Sequence, residues 1–129
     1  MLILRLSLHV LAATIWVGGQ FVLAGLVPTL RAIGDDAPRL AARRFNLIAW
    51  PAYFVLLMTG VWNLMARQAE TGHPVNMALF SAKFGLYLLS GLGAFAHTRA
   101  NGNKVILAVG GALAAVCAAA ALVLGVAIS

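Results

Sequence analysis

Two basic side chains lie inside otherwise apolar stretches of the sequence. Lys83 is about six residues into a run that begins near Met77, and His9 is about as far into a run that begins at Leu2. A charge at the bilayer centre costs roughly 2.5–3.5 kcal/mol on insertion scales, so such a residue usually faces other helices and has a function. At 1.5 Å per residue, both side chains lie about 9 Å below one membrane surface. We therefore expect them to share a site.

Polar residues at helical spacing extend this site. At 100° per residue, Arg5, His9, Trp16 and Gln20 fall within about 60° of arc, and Lys83, Tyr87, Ser90 and His97 within about 80°. His97 is 14 residues from Lys83, about 21 Å further across the membrane, and belongs to a second layer. The predicted outer layer contains Arg5, His9 and Lys83, with Met58, Met65, His73 and Met77 near the same surface. The predicted inner layer contains His97, Arg31, Arg43, Arg44 and Asn46, with Trp16, Trp50 and Tyr53 between the layers.

These residue types indicate two alternative kinds of chemistry. Neutral imidazole binds copper and iron, and thioether sulfur suits Cu(I), so a copper site is predicted from His9, Met58, Met65 and Met77. A porphyrin is the other natural guest of a helical bundle, since it needs an axial imidazole, aromatic or small residues along its faces and cations for its propionates. His9, Trp16, Arg5 and Lys83 meet that demand equally well.

Composition excludes several other classes of protein. The chain has 129 residues, of which 63% are hydrophobic and 9% charged, with a net charge of +6 and a mean hydropathy of +0.97. Such a chain is neither disordered nor an ordinary soluble enzyme, and its bases form no dense face for nucleic acid. Cys117 is the single cysteine, so no internal disulfide is possible. The acids Asp35, Asp36 and Glu70 are expected in loops, which argues against a carboxylate-based proton pump.

Four apolar runs are each close to the roughly 20 residues that cross a bilayer as a helix. They predict an all-α integral membrane four-helix bundle, a single domain over residues 1–129 with helices at about 2–30, 39–66, 77–98 and 105–128. Asp35 or Asp36 is expected to cap the second helix, with Pro38 in its first turn and a kink at Pro51. The segment Asn101-Gly-Asn predicts a tight turn before the fourth helix.

Basic residues in the short links predict the orientation. The first and third links carry six bases, and the opposite side carries two, Arg5 and Arg67. The cytoplasmic side should therefore hold the first and third links, with both termini outside, in a multi-pass protein of the inner (plasma) membrane. Its environment is the lipid bilayer, and small residues on the fourth helix favour a homo-oligomer.

The segment Leu8 to Arg31, LHVLAATIWVGGQFVLAGLVPTLR, resembles the first helix of copper-resistance protein D (CopD) domains, in which a histidine precedes a WxGG motif. The stretch Arg44 to Leu64, RFNLIAWPAYFVLLMTGVWNL, is similar to the following helix of that family, with its Arg-Phe start and Thr-Gly-Val end. Lys83 matches a lysine early in the next helix. The resemblance covers roughly residues 8 to 100 and implies a copper-related membrane function.

The chain also resembles the HemJ-type protoporphyrinogen oxidases. The shared pattern is His9 in the first helix, Arg44 followed by Pro51-Ala52 in the second, and Lys83 with the later His97 in the third. This resemblance implies haem b and a porphyrinogen or quinone-like substrate, with His97 and Arg44 joining His9, Lys83, Arg5 and Trp16 as cofactor-binding residues.

Three functions follow in order. The first is a CopD-like membrane protein that binds or helps to move copper through an outer-leaflet site around His9. The second is a haem b membrane redox protein, with His9 as axial ligand and Lys83 on an anionic group. The third is a non-catalytic assembly subunit. The sequence identifies no catalytic residue and leaves open whether the protein is an enzyme.

Overall fold

Helices make up all the regular structure of residues 1–128, which the computed structural model describes. In chain order they are α1 (Leu2–Ala13), a π-helical turn (Thr14–Gly18), α2 (Gly19–Ile33), α3 (Ala37–Thr71), α4 (Met77–Thr98) and α5 (Lys104–Ile128). Since α1, the π turn and α2 form one continuous helix, the chain has four helices long and apolar enough to cross a membrane, of 32, 35, 22 and 25 residues. The all-α prediction with four membrane-length helices is confirmed.

The ends of the helices follow local signals in the sequence. Asn76 caps α4, its side-chain oxygen accepting from the backbone N–H groups of Ala78 and Leu79 at 3.1 and 3.2 Å. Asn103 caps α5 in the same way. Before it, Asn101 and Gly102 have φ angles of 48° and 84°, left-handed conformations that asparagine and glycine tolerate best, so the tight turn expected there is present.

Two compact units divide the chain, Met1–Thr71 and the residues from Gly72 onwards. In the first unit, α1, the π turn and α2 pack against α3. Its α1–α3 interface contains the buried residues Arg5, Ala12, Trp16, Tyr53 and Leu56. At the other end of this unit, a Cβ at Gly19 would collide with the ring of Phe45, so the absence of a side chain allows that ring to approach the first helix.

The second unit is an antiparallel pair of helices, α4 and α5, in very close contact. A Cβ built at Gly93 would lie 2.7 Å from the backbone nitrogen of Ala114, and one built at Gly110 would lie 2.8 Å from the carbonyl oxygen of Gly93. The Ser90 hydroxyl donates across the interface to the Ala114 carbonyl at 2.8 Å. Small residues thus allow backbone contact between the helices, the arrangement typical of helix pairs in membranes.

Candidate metal-binding site

His9 is held against α3 by a hydrogen bond between side chains. Its Nδ1 lies 2.8 Å from the Thr59 hydroxyl oxygen, and Thr59 is buried. A Cβ at Gly60 would lie 3.6 Å from the Cε1 atom of His9, so the ring rests on a part of α3 that has no side chain. The sequence placed His9 on the inward stripe of its helix, and in the structure this stripe does meet α3.

The hydrogen bonds of Thr59 determine which nitrogen of His9 carries the proton. The Thr59 hydroxyl has one hydrogen, and it donates that hydrogen to the Val55 carbonyl at 2.7 Å. Towards His9 the hydroxyl oxygen must then accept, so Nδ1 of His9 is the donor. A neutral imidazole with its hydrogen on Nδ1 has its lone pair on Nε2. Metal-bound histidines commonly show this arrangement, in which the non-ligating nitrogen donates to a neighbouring acceptor.

Arg5 lies one helical turn before His9 and is only 4% exposed. Its guanidinium donates to a carboxylate oxygen of Glu70 at 3.0 Å. The expectation that Glu70 lies in a loop is therefore wrong, because α3 continues to Thr71 and carries Glu70 in its last turn. The ion pair offsets the poor placement of an acid at a helix C-terminus and joins the outer ends of α1 and α3.

Two buried atoms in the first unit have no hydrogen-bond partner, Nε of Arg5 and Oδ1 of Asn63. On α3, Asn63 follows Thr59 by four residues and precedes Glu70 by seven, so the three side chains share one face. Asn63 thus lies between the His9 contact and the Arg5 ion pair. The polar seam, which we define as Arg5, His9, Thr59, Asn63 and Glu70, is a continuous polar strip in an otherwise apolar interface.

Aromatic rings lie further along the same interface. The ring centroids of Trp16 and Tyr53 are 4.6 Å apart, and Trp50 lies 5.4 Å from Trp16 and 5.5 Å from Tyr53. Trp16 is in the π-helical turn, a local widening that is frequent at functional sites, and Gln20 donates to its carbonyl at 2.9 Å. The predicted grouping of Trp16, Trp50 and Tyr53 is therefore present within the first unit.

The methionines predicted as copper ligands lie elsewhere. Met58 and Met65 are 71% and 65% exposed on α3, and Met77 is 55% exposed at the start of α4. At 100° per residue, Met58 leaves α3 about 100° from Thr59 and Met65 about 120° from it. Neither thioether is directed to the side of α3 that His9 faces. Within residues 1–128, no three side chains of the types His, Cys, Asp and Glu converge as a metal site.

The remaining predicted site residues are divided between the two units. Arg44 is exposed on α3. Lys83 is half-buried on α4 in the second unit, whereas His9 belongs to the first, and their common site stays a prediction. His97 donates from Nδ1 to the Leu107 carbonyl at 2.6 Å and packs over Gly111, so it joins the ends of α4 and α5.

Sequence reasoning did not identify three residues of the polar seam. Thr59, Asn63 and Glu70 are single polar residues on the face of α3 that meets α1, and their spacing of four and seven residues is helical. That spacing was a usable signal, since it matches the spacing of Arg5 and His9 on α1.

No model of a known protein family matches the chain, and neither does any curated protein or solved structure.

Proposed function

We propose that this multi-pass membrane protein binds copper through Nε2 of His9, in the outer half of the bilayer, and helps to move the ion. The observation that carries this proposal is the chain of hydrogen bonds from His9 to Thr59 and from Thr59 to the Val55 carbonyl. It orients the ring and leaves the lone pair on the nitrogen that binds metals. The resemblance of residues 8 to 100 to CopD domains supports copper as the ion.

The sparse ligand set suits copper in transit. Passage through a membrane requires sites that bind well enough to admit an ion and weakly enough to release it. One oriented imidazole provides such a site, whereas a closed set of three or four ligands would retain the ion. The exposed thioethers of Met58 and Met65 are then soft ligands at the protein surface, available to an ion before or after it contacts His9.

Haem b is the second candidate, and the outward direction of Met58 and Met65 favours it. A haem needs no thioether, and His9 has the second hydrogen bond that an axial histidine usually makes. The buried guanidinium of Arg5 would lie one turn from such a haem and suits a propionate. Bound haem would supply one-electron redox chemistry, and His9 and Arg5 would hold and orient it.

One preparation of purified protein in mild detergent distinguishes these functions. We expect a protein without a Soret band that takes Cu(I) from a chromophoric chelator, with His9→Ala losing most of this binding. The matched control is His97→Ala, because His97 also donates from Nδ1 but does so at the ends of α4 and α5. This variant should bind copper like the wild type.

The other outcomes each contradict the copper proposal. A Soret band that His9→Ala abolishes establishes the haem candidate instead. A protein that is colourless and takes no Cu(I), with His9→Ala folding like the wild type, leaves the third reading, a membrane assembly subunit in which the polar seam only joins helices.

A further inference from the structure

Lys83 places an ammonium group on the surface of the α4–α5 pair. Its side chain lies over Gly125 of α5: a Cβ built on that glycine would be 3.0 Å from Nζ and 3.3 Å from Cε of Lys83. Any residue with a side chain at position 125 would compete for the space that the end of the lysine occupies. Gly125 therefore forms the floor on which the ammonium rests.

The register of the two helices gives the depth of this ammonium. Ser90 pairs with Ala114, so in an antiparallel pair Lys83, seven residues earlier, is level with Ala121. Gly125 is four residues beyond Ala121, about 6 Å nearer the end of α5. The lysine side chain therefore runs from its Cα towards the end of the helix pair that carries Met77 and Ile128. This is how a lysine in a membrane helix brings its charge to the interface.

No carboxylate side chain neutralises Lys83 within its own unit, because residues 72–128 contain no Asp or Glu. The ion pairs of the described chain are Arg5–Glu70 and Arg39–Asp36. An ammonium has three hydrogens to donate, and at interfacial depth the abundant anions are lipid phosphates. The half-buried stem limits the positions of the charge, so the ligand must come to the ammonium.

We propose that Lys83, resting on Gly125, binds the phosphodiester of an anionic phospholipid headgroup. The site lies at the Met77 end of the α4–α5 pair and is independent of the proposed copper function of His9. A free phosphate ion offers the same chemistry, and the lipid is favoured because its phosphate is held at the depth that the ammonium reaches.

Lysine composition makes a direct measurement possible. The chain has two lysines, Lys83 and Lys104, so Lys104→Met leaves a single ε-ammonium. We would label lysine Nζ with nitrogen-15 in this variant and reconstitute it in a neutral galactolipid, which contains no phosphorus. One sample receives phosphatidylglycerol and a second receives inorganic phosphate. Solid-state NMR then measures the loss of the nitrogen signal through dipolar coupling to phosphorus-31.

We expect strong phosphorus dephasing of the Lys83 signal with phosphatidylglycerol and none with inorganic phosphate. Dephasing with inorganic phosphate alone would overturn the assignment to a lipid. Absence of dephasing in both samples would overturn the site altogether and leave Lys83 as a cation at the C-terminal end of α5.

A pair of glycine variants tests the floor of the site. Gly125→Leu fills the place of the ammonium and should abolish dephasing by phosphatidylglycerol. Gly85→Leu on α4 is the control, because a Cβ there meets nothing within 4 Å, and it should keep the wild-type dephasing. If Gly125→Leu folds and dephases like Gly85→Leu, Gly125 does not shape the site and the proposal is wrong in this form.

Discussion

The acceptor role of Thr59 links the backbone of α3 to the chemistry of His9. A threonine inside a helix commonly donates to the carbonyl four residues earlier, and Thr59 does so with Val55. Here that common bond has a consequence, since it turns the oxygen lone pairs of the hydroxyl towards Nδ1 of His9. The orientation and tautomer of the imidazole thus depend on a residue that itself contacts no ligand.

Thr59→Val should weaken binding of Cu(I) by about 10- to 100-fold, the usual effect of losing a partner of a metal-bound histidine. The measurement is competition for Cu(I) with a chromophoric chelator. Thr59→Ser keeps the hydroxyl and should restore most of the affinity. Thr98→Val is the control, because Thr98 makes the same kind of bond to Ala94 on an exposed part of α4. Wild-type affinity in Thr59→Val would show that Thr59 does not position His9.

Close contact between backbones is the main packing device of the α4–α5 pair. The contacts made by Gly93 are to the backbone of Ala114 and Gly110, which cannot move aside as a flexible side chain can. The helices therefore have to separate if a methyl group is added. Without a hydrophobic driving force between helices in lipid, such contact and the Ser90 hydrogen bond account for much of the association.

Gly93→Ala should destabilise the protein by about 1–3 kcal/mol, the usual cost of overpacking a tight interface. The measurement is unfolding in a series of mixed detergents, followed by circular dichroism. Gly85→Ala is the control on the same helix, and it should be neutral or slightly stabilising because alanine favours helix and the added methyl meets nothing. Equal stability of the two variants would contradict the importance of the Gly93 contact.

At the scale of the whole molecule, the distribution of charge decides how the chain lies in the membrane. The first turn of the long helix α3 and the links before α3 and α5 carry six of the nine basic residues. The positive-inside tendency places these segments in the cytoplasm and both chain ends outside. The site of His9, near the start of α1, then opens towards the outer leaflet.

Cysteine labelling in intact cells tests this orientation. In a Cys117→Ala background, Pro74→Cys should react with a membrane-impermeant maleimide, and Asp35→Cys and Asn101→Cys should react only after the cells are opened. Cys117 is buried and is the natural cysteine that must be removed first. The reverse pattern would place His9 near the cytoplasmic surface and contradict an outer-leaflet site.

Composition and spacing sufficed to predict the helices and the inward stripe of the first one. Four long apolar runs can satisfy their backbones in lipid only as helices, and His9 and Arg5 were assigned to one face from their spacing of four residues. The tight turn at Asn101-Gly102 followed in the same way from residues that tolerate positive φ.

The partners of that stripe came from packing. A helical period gives the face on which a residue lies, but it does not say which face of a second helix meets it or at what register. Thr59 opposite His9, Glu70 opposite Arg5 and the outward Met58 all depend on how α1 settles on α3. That choice is made by many small contacts between two surfaces together, such as the rings of Trp16 and Tyr53 and the bare backbone of Gly60, and no single stretch of residues contains it.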